Sequence, residues 1–386
     1  MKYYFTSESV TEGHPDKICD KISDKILDTA LEQDKNSKMA VETTIKGNLV
    51  FIYGEANTKA KLNYEEIAKE VLKDIGYNEE FNFIIKVSNQ SKEINKSVEK
   101  KELAAGDQGI MFGYATNETK ELMPLPILLA NKLAYNLAKV RKEDKNTPLL
   151  PDGKTQVTVE YQNNKPKRID TIIIAAQHKK EITQKELKKY IIENVITKTI
   201  PQNLLDKKTK ILINTSGSFI IGGPYSDSGT TGRKIIVDTY GGTSRIGGGC
   251  LSSKDPTKVD RSAAYYTRYV AKNIVAHNLA DKCEIQVSYA IGKQKPISLF
   301  IETFNTEKIN ISEIYKYVET NFNFSVENII NELNLKNTKY YNIASYGHFG
   351  RTDINLPWEN IKNTLQQKEK KYQNNWLIFY LIIYLK

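Results

Sequence analysis

Cysteine is scarce in this chain of 386 residues, which contains three: Cys19, Cys250 and Cys283. Because their number is odd and no two of them form a CxxC pair, neither a disulfide framework nor a zinc site is supported. Long apolar runs are also lacking. The opening residues MKYYFTSESVTEGHPDK contain no signal-peptide core, and no segment reaches the roughly 20 apolar residues that span a bilayer. We therefore expect a soluble protein of the reducing cytosol.

The glycine-rich motifs of the commonest nucleotide-binding folds are missing as well. After Gly247 and Gly249, the position where a GxGxxG motif needs its third glycine is Ser252, which disfavours a Rossmann site. The segment GTTGRK does not have a lysine directly after a glycine and before serine or threonine, as a P-loop requires. A nucleotide bound by this chain would need another scaffold.

Basic residues outnumber acidic ones and leave a formal net charge of +10. Such an excess fits an anionic ligand or a nucleic acid, although scattered lysines usually belong to a solvated surface. No recognised nucleic-acid-binding module and no interleaving of aromatic and basic residues supports the second alternative. With 40% hydrophobic residues, a chain of this length has enough apolar material for the cores of two or three domains.

A pattern of two strands followed by a helix occurs three times along the chain. The first copy, AVETTIKGNLVFIYGE, has two alternating strands around Lys46-Gly47-Asn48 and a helix, NYEEIAKEVLKDIG, that ends at Gly76. The second copy is TQVTVEYQNNKPKRIDTIIIAAQ with the helix TQKELKKYIIENVI. The third is EIQVSYAIGKQKPISLFIETF with a helix near SEIYKYVETNF. The repeat predicts an α/β protein of the α+β type, with three similar sheet-plus-helix domains related by pseudo-threefold symmetry.

The segment TSESVTEGHPDKICDKISDKILDTALEQD predicts a helix that begins at Pro15, the favoured first helical position. Ile18, Ile22 and Ile26 form its buried stripe. His14 and Asp16 then lie at the helix N-terminus, where they have two interpretations. They are either a cap and a charge that complements the helix dipole, or a phosphate site with a magnesium ligand.

The segment GGGCLSSKDPTKVD, residues 247–260, combines glycines, lysines and aspartates. Glycines allow close approach, lysines neutralise negative charge and aspartates bind divalent ions, so polyphosphate with a metal ion fits this composition. The alternative is a set of ordinary surface ion pairs between four cations and three carboxylates. These are Arg233, Lys234, Lys254 and Lys258, with Asp238, Asp255 and Asp260.

Two further segments between the units lack a regular period. TSGSFIIGGPYSDSGTTGRK is rich in glycine and serine and brackets what we expect to be a short apolar strand. QSKEINKSVEKKELAAGDQG has many charges and two small residues before Gly106, and predicts a mobile loop.

Taken together and in order, the segments of this chain resemble one family, the S-adenosylmethionine synthetases. The matching blocks are FTSESVTEGHPDKICDKISD, AGDQGIMFGYATNE, LPDGKTQVTVEY, GRKIIVDTYGG, KDPTKVDRSAAYYTRYVAKNIVA and CEIQVSYAIG. The likeness continues to YGHFGR at 346–351. It implies a three-domain fold, here 1–100, 104–220 and 221–360, with a gating loop near 91–103. It also implies a homodimer or homotetramer whose active sites lie at the subunit interface, with no nucleic-acid or membrane partner.

The resemblance further implies the reaction and the residues that serve it. In that family the sulfur of L-methionine attacks C5′ of ATP, and the displaced tripolyphosphate is cleaved to pyrophosphate and phosphate. The residues implied to act on the phosphates are His14, Lys154, Arg233, Lys234, Lys254 and Lys258. Those implied to contact methionine, the adenosyl moiety or the nucleotide side are Glu55, Gln90, Asp107, Asp152, Phe219, Asp227 and Cys250. A pair of Mg²⁺ ions is implied at Asp16 and Asp260, and K⁺ at Glu42.

The chain departs from the family pattern at a few places, so a diverged family member that binds ATP but turns over poorly remains an alternative. Ala104 stands where the family has the glycine of GAGDQG, Leu251 stands where it has phenylalanine, and Ser218 stands where it commonly has arginine. The segment 361–386 differs throughout and contains ten consecutive apolar or aromatic residues, 376–385. We expect this tail to pack on its own subunit or across an oligomer interface, with a membrane anchor as the less favoured alternative.

Overall fold

The computed structural model of the chain describes residues 1–89 and 103–363. In chain order the strands are β1 (Lys2–Val10), β2 (Lys38–Lys46), β3 (Leu49–Asn57), β4 (Asn82–Ser88), β5 (Gly109–Thr116), β6 (Leu149–Gln162), β7 (Lys165–His178), β8 (Lys210–Ile213), β9 (Gly229–Thr230), β10 (Lys282–Tyr289) and β11 (Ser298–Glu302). The main helices are α1 (Pro15–Gln33), α2 (Tyr64–Ile75), α3 (Leu125–Glu143), α4 (Gln184–Ile191), α5 (Ile235–Asp238), α6 (Val259–Ala276), α7 (Ile311–Asn321) and α8 (Val326–Glu332). Within these ranges, no helix is both long enough and apolar enough to cross a bilayer.

The first sheet has the strand order β4-β3-β2-β9, with β3 and β4 parallel and the other pairs antiparallel. The hairpin of β2 and β3 turns at Gly47, as predicted. Helix α2 contacts β4 of this sheet, and its Ile67 and Val71 are buried. The helix ends at Gly76, whose φ of 110° favours glycine. The first of the three expected units is therefore confirmed.

Helix α1 begins at Pro15, as predicted, and the stripe of Ile18, Ile22 and Ile26 is fully buried. Burial of each such side chain contributes about 1.5–3 kcal/mol. The opposite side of α1 is also buried, although it carries aspartates and lysines. A helix buried on both sides must have partners for these charges, and the candidate site lies among those partners.

The other two sheets repeat the plan of strands covered by helices. The second has the order β1-β6-β7-β8, and its core packs against α3 and α4. Helix α4 begins with a capping box between Thr183 and Glu186. The third sheet has the order β11-β10-β5, is covered by the largely buried α6, and is followed by α7 and α8. Three sheet-plus-helix units confirm the expected fold class.

Each sheet also takes one strand from a distant part of the chain. Strand β1 pairs antiparallel with β6 in the second sheet, and β5 pairs with β10 in the third. The short β9 pairs with β2 in the first sheet, with Thr230 opposite Thr44. The domain ranges proposed from the sequence are continuous, whereas the sheets are not. These exchanges place the end of β1 and the segment after β9 next to α1.

One expected element is wrong. The segment around Phe219 forms no strand: it makes two hydrogen bonds with His178, one from the His178 backbone N–H and one to the imidazole Nε2. Ile221 is exposed, and the chain turns at once into the 3₁₀ turn Gly223–Tyr225. The apolar run is therefore too short, and too soon interrupted by glycines, to pair as a ladder. Of the expected mobile loop, residues 90–109, the part 90–102 lies outside the described residues, as does the predicted apolar tail from 364 onward.

Candidate active site

His14 occupies the N-cap position of α1 and is 2% exposed. Its Nδ1 accepts a hydrogen bond from the backbone N–H of Asp16 at 3.2 Å. Burial, reinforced by the positive charge of Lys234, lowers the pKa of His14 to about 3, so the ring is neutral at pH 7. Since Nδ1 accepts, Nε2 carries the proton and is free to donate to a ligand.

Asp16, in the first turn of α1, is the acceptor around which the first group of charges is arranged. Its Oδ1 accepts the backbone N–H of Thr230 at 2.9 Å, and its Oδ2 accepts from Nζ of Lys234 at 2.6 Å. Nε of Arg233 lies 3.5 Å from Oδ1. Burial opposes ionisation, but the hydrogen bonds from Lys234 and Thr230 outweigh it and hold the pKa of Asp16 below its usual value. We call His14, Asp16, Arg233 and Lys234 the α1 cluster.

Three other predicted site residues border the α1 cluster. Lys154 and Asp227 are exposed and close enough to His14 for their charges to act on its pKa in opposite directions. Asp152 is buried, and its Oδ2 accepts the backbone N–H of Gly223 at 2.8 Å. Burial raises the pKa of Asp152 to about 6 in spite of that hydrogen bond.

A second group of charges forms where the segment 247–260 meets α6. Nζ of Lys254 lies 2.6 Å from Oδ2 of Asp260, and Nζ of Lys258 lies 3.1 Å from Oδ2 of Asp255. A Cβ placed on Gly249 would lie 2.1–2.3 Å from the Asp260 carboxyl atoms, so a larger residue there would displace that carboxylate. The glycine run thus lets the backbone pack directly on a predicted metal ligand. We call these four charged residues the α6 cluster.

Strands β2 and β3 border the α6 cluster with two more carboxylates. Ala40 of β2 pairs with Glu55 of β3 on one side and forms a bridge with Lys254 on the other. Glu42, two residues along β2, accepts a hydrogen bond from the Tyr53 hydroxyl at 3.4 Å. Both predicted residues therefore lie on the strands next to Lys254.

Of the remaining predicted residues, Cys250 belongs to the α6 side, because its Sγ donates to the Ser252 carbonyl in the same loop at 3.6 Å. Asp107 is exposed on the loop before β5, and its neighbour Gly106 packs against the Lys258 side chain. Phe219 lies against His178, and Gln90 lies outside the described residues.

The two clusters remain separate within one chain. In residues 1–89 and 103–363, no hydrogen bond or ion pair joins the α1 cluster to the α6 cluster, and no group of three His, Cys, Asp or Glu could hold a metal ion. Asp238, an expected surface partner of the basic residues, instead forms a buried pair with Lys17. The carboxylates bound by Lys254 and Lys258 are largely buried, so these pairs are not the ordinary surface pairs of the alternative interpretation.

The sequence interpretation overlooked a feature of α1. Aspartates recur at every fourth position, Asp16, Asp20, Asp24 and Asp28, in the letters DKICDKISDKILD. Each carboxylate accepts a backbone N–H from a segment far along the chain, at 230, 232, 253 and 340–341. The sequence signal that could have revealed this row of acceptors is the four-residue period of acidic residues in a helix whose other side is apolar.

The chain is similar to proteins of the S-adenosylmethionine synthetase family. Family profiles for the N-terminal, central and C-terminal domains of S-adenosylmethionine synthetase match residues 2–100, 102–219 and 221–360. A curated S-adenosylmethionine synthase of Mycoplasma mycoides subsp. mycoides is 51% identical over 345 residues, covering 87% of this chain and 89% of the relative. That of Clostridium acetobutylicum is 50% identical over 356 residues, covering 87% of this chain and 91% of the relative.

Proposed function

Because the chain belongs to the S-adenosylmethionine synthetase family, we propose that its two clusters are the two halves of one active site, joined across the interface between two copies of the chain. The chain synthesises S-adenosylmethionine from ATP and L-methionine and is an adenosyl transferase. The observation that supports the proposal is the arrangement of charge. Cationic side chains and predicted metal ligands occur in both clusters, yet neither cluster contains all of them.

The chemistry requires stabilisation of a leaving group more than it requires a base. The methionine sulfur is a neutral thioether with no proton to lose, whereas negative charge accumulates on the tripolyphosphate as the bond to C5′ breaks. Cationic and hydrogen-bonding groups fixed in advance around that charge lower the barrier, and the loss of one such donor typically costs about 3–4 kcal/mol. The neutral ring of His14 fits a donor role and is unsuited to bind phosphate as a cation.

In this proposal the α1 cluster binds the triphosphate. Nε2–H of His14 donates to the oxygen that leaves C5′, and the N-terminus of α1 adds its partial positive charge. Arg233 and Lys234 turn from Asp16 to the phosphates, and Lys154 adds a third cation from β6. Asp152 and Phe219 lie on the nucleotide side, and Asp227 contacts methionine or the adenosyl moiety.

The α6 cluster of the second copy completes the site. Lys254 and Lys258 bind the phosphates, and Lys258 lies beside methionine. Glu55, Gln90 and Asp107 contact methionine or the adenosyl moiety, and Cys250 lines the nucleotide pocket. This arrangement makes the homodimer the smallest active unit, and a homotetramer is two such units.

Family members use metal ions, and the donor chemistry of this chain fits Mg²⁺. Mg²⁺ is usually bound by one or two carboxylates together with substrate phosphates and water, so a cage of three protein ligands is not needed. Asp16 and Asp260 each hold a lysine ammonium at 2.6 Å, which supports a cation-binding role for both carboxylates. Asp16 and Asp260 would hold Mg²⁺, which would supply positive charge to the phosphate oxygens. Glu42 offers a hard oxygen ligand suited to K⁺.

The assay that tests the function measures S-adenosylmethionine formed from ATP and L-methionine, with and without Mg²⁺ and K⁺. We expect product only when Mg²⁺ is present, and faster formation with K⁺. Activity undiminished by a chelator would remove the metal proposal. We place the enzyme in the cytoplasm, and we expect it to bind neither a membrane nor nucleic acid. A salt-sensitive shift of DNA at physiological ionic strength would contradict the last expectation.

A further inference from the structure

The aspartates of α1 form a row of hydrogen-bond acceptors along one face of the helix, because residues four apart lie one above the other. Oδ1 of Asp16 accepts the N–H of Thr230 at 2.9 Å, and Oδ1 of Asp20 accepts that of Gly232 at 2.8 Å. Oδ1 of Asp24 accepts the N–H of Ser253 at 3.0 Å. Asp28 accepts two, from residues 340 and 341, both at 2.9 Å. All four side chains are buried.

The segments held by the first three aspartates carry the cations of both clusters. Gly232 directly precedes Arg233 and Lys234, and Ser253 directly precedes Lys254. Neither segment lies in a long strand or helix that could fix it: the first joins the two-residue β9 to the four-residue α5. The carboxylates of α1 therefore provide the backbone N–H groups of Gly232 and Ser253 with hydrogen-bond partners that the backbone of no neighbouring strand or helix in the described residues provides.

The far end of the first segment is fixed by the same helix. Lys17 is fully buried, its Nζ donates to Asp20 at 2.9 Å, and it also donates to Asp238, the last residue of α5. Ser23 of α1 adds a hydrogen bond to the Thr231 hydroxyl at 3.0 Å. The segment 230–238 is thus bound to α1 before and after the cations that it carries.

We infer that Asp20 is a positioning residue. By accepting the Gly232 N–H, it positions Arg233 and Lys234 so that their charges can stabilise the tripolyphosphate. Asp24 performs the same task for Lys254 through Ser253. The inference rests on the proposed function of these cations. A displacement of about 1 Å in a catalytic group can lower a rate roughly 100-fold, so one backbone contact is enough to matter. Asp28 fixes a segment that carries none of the proposed site residues and has no such role.

The test compares Asp20→Asn with Asp20→Leu. Asparagine retains an oxygen that can accept the Gly232 N–H, whereas leucine has a similar size but leaves that N–H without an acceptor. We expect Asp20→Leu to lower kcat at least tenfold and to weaken binding of inorganic tripolyphosphate in calorimetry. We expect Asp20→Asn to retain kcat within about threefold. If the leucine variant does not fold, Asp20→Ser takes its place, because serine is smaller and also lacks the carboxylate oxygen that accepts the Gly232 N–H.

Asp28→Asn and Asp28→Leu are the matched controls, since Asp28 is a buried acceptor on the same face of the same helix. We expect Asp28→Leu to lower the melting temperature while kcat of the folded enzyme stays within twofold. Unchanged kcat and tripolyphosphate affinity in folded Asp20→Leu or Asp20→Ser would overturn the inference, as would an equal loss of kcat in Asp28→Leu. Wild-type enzyme that forms no S-adenosylmethionine would overturn the proposed function instead, and the two failures are therefore distinguishable.

Discussion

The α1 cluster and the α6 cluster use the same residue types but balance their charges differently. In the α1 cluster one buried carboxylate, Asp16, faces two cations, Arg233 and Lys234. In the α6 cluster each lysine has a carboxylate of its own. The first cluster therefore has positive charge in excess, and the second is balanced.

This difference separates two tasks that the proposed reaction combines. A surplus of positive charge beside a helix N-terminus favours an anion, so the α1 cluster is suited to bind the triphosphate without further partners. Lysines that are already neutralised add little net attraction, but in the proposed site Lys254 would be released to phosphate when Mg²⁺ binds Asp260. We accordingly expect the two clusters to differ in their response to substitution and to metal ions.

The largest effect is expected from the loss of a lysine. Lys234→Met and Lys258→Met retain the apolar stem but remove the charge, and each should lower kcat about 100-fold or more, because leaving-group charge is stabilised mainly in the transition state. Steady-state rates of S-adenosylmethionine formation give kcat, and thermal unfolding checks the fold. Lys25→Met is the control, since Lys25 lies on α1 but pairs with the exposed Glu70. A variant at either site with near-normal kcat would remove that lysine from the proposal.

The next prediction tests whether the clusters belong to different copies of the chain. Lys234→Met inactivates the α1 half of each site and Lys258→Met the α6 half, so a mixed dimer contains one intact site. Unfolding and refolding the two variants together in equal amounts should restore about a quarter of wild-type activity, because half of the dimers are mixed. Each variant refolded alone is the control. Activity that stays at the level of the single variants would place a complete site within one chain.

A smaller effect is expected from the metal ligands. Asp16→Asn and Asp260→Asn replace a charged ligand by a neutral amide, and each should raise the Mg²⁺ concentration for half-maximal activity about tenfold, or about 1.4 kcal/mol in binding. Titration of activity with Mg²⁺ measures this. The two variants should differ in kcat at saturating Mg²⁺, because the two carboxylates hold different cations. Asp16→Asn also weakens the hold on Arg233 and Lys234, whereas Asp260→Asn frees a lysine. An unchanged Mg²⁺ requirement in both variants would contradict the metal assignment.

The sequence predicts those parts of the fold and of the two clusters that depend on local patterns of residues. Pro15 and the isoleucine stripe specify α1, and Gly76 specifies the end of α2, because each acts through neighbouring residues. The pairing of β1 with β6 joins segments about 150 residues apart, and no local period encodes it. The contact of Asp20 with Gly232 is of the same kind. The acceptors could be read from the four-residue period of aspartates, but their donors could not.

The smallest effect concerns stability and contrasts Asp28 with Asp16. Both are buried carboxylates on α1 that accept backbone N–H groups, but Asp28 forms no ion pair with a cationic side chain in the described residues. Burial raises the pKa of Asp28 to about 7, with the charge of Asp24 acting in the same direction and the Tyr340 and Tyr341 N–H groups and Arg261 opposing it.

The sign of the pH dependence follows from this raised pKa. The folded state binds a proton to Asp28 that the unfolded state releases near pH 4, so this group's contribution to stability declines from about pH 4 to about pH 7. Asp28→Asn removes that dependence. Between pH 5 and pH 8 the variant should therefore be least stable relative to wild type at the acidic end, and it should approach or exceed wild type at pH 8, as measured by melting temperatures at one protein concentration. Asp34 is the control, because backbone N–H groups lower its pKa and it is ionised in both states throughout this range. A stability difference for Asp28→Asn that is as constant with pH as that for Asp34→Asn would mean that Asp28 is ionised in the folded enzyme, and that the hydrogen bonds from residues 340 and 341 alone compensate its burial.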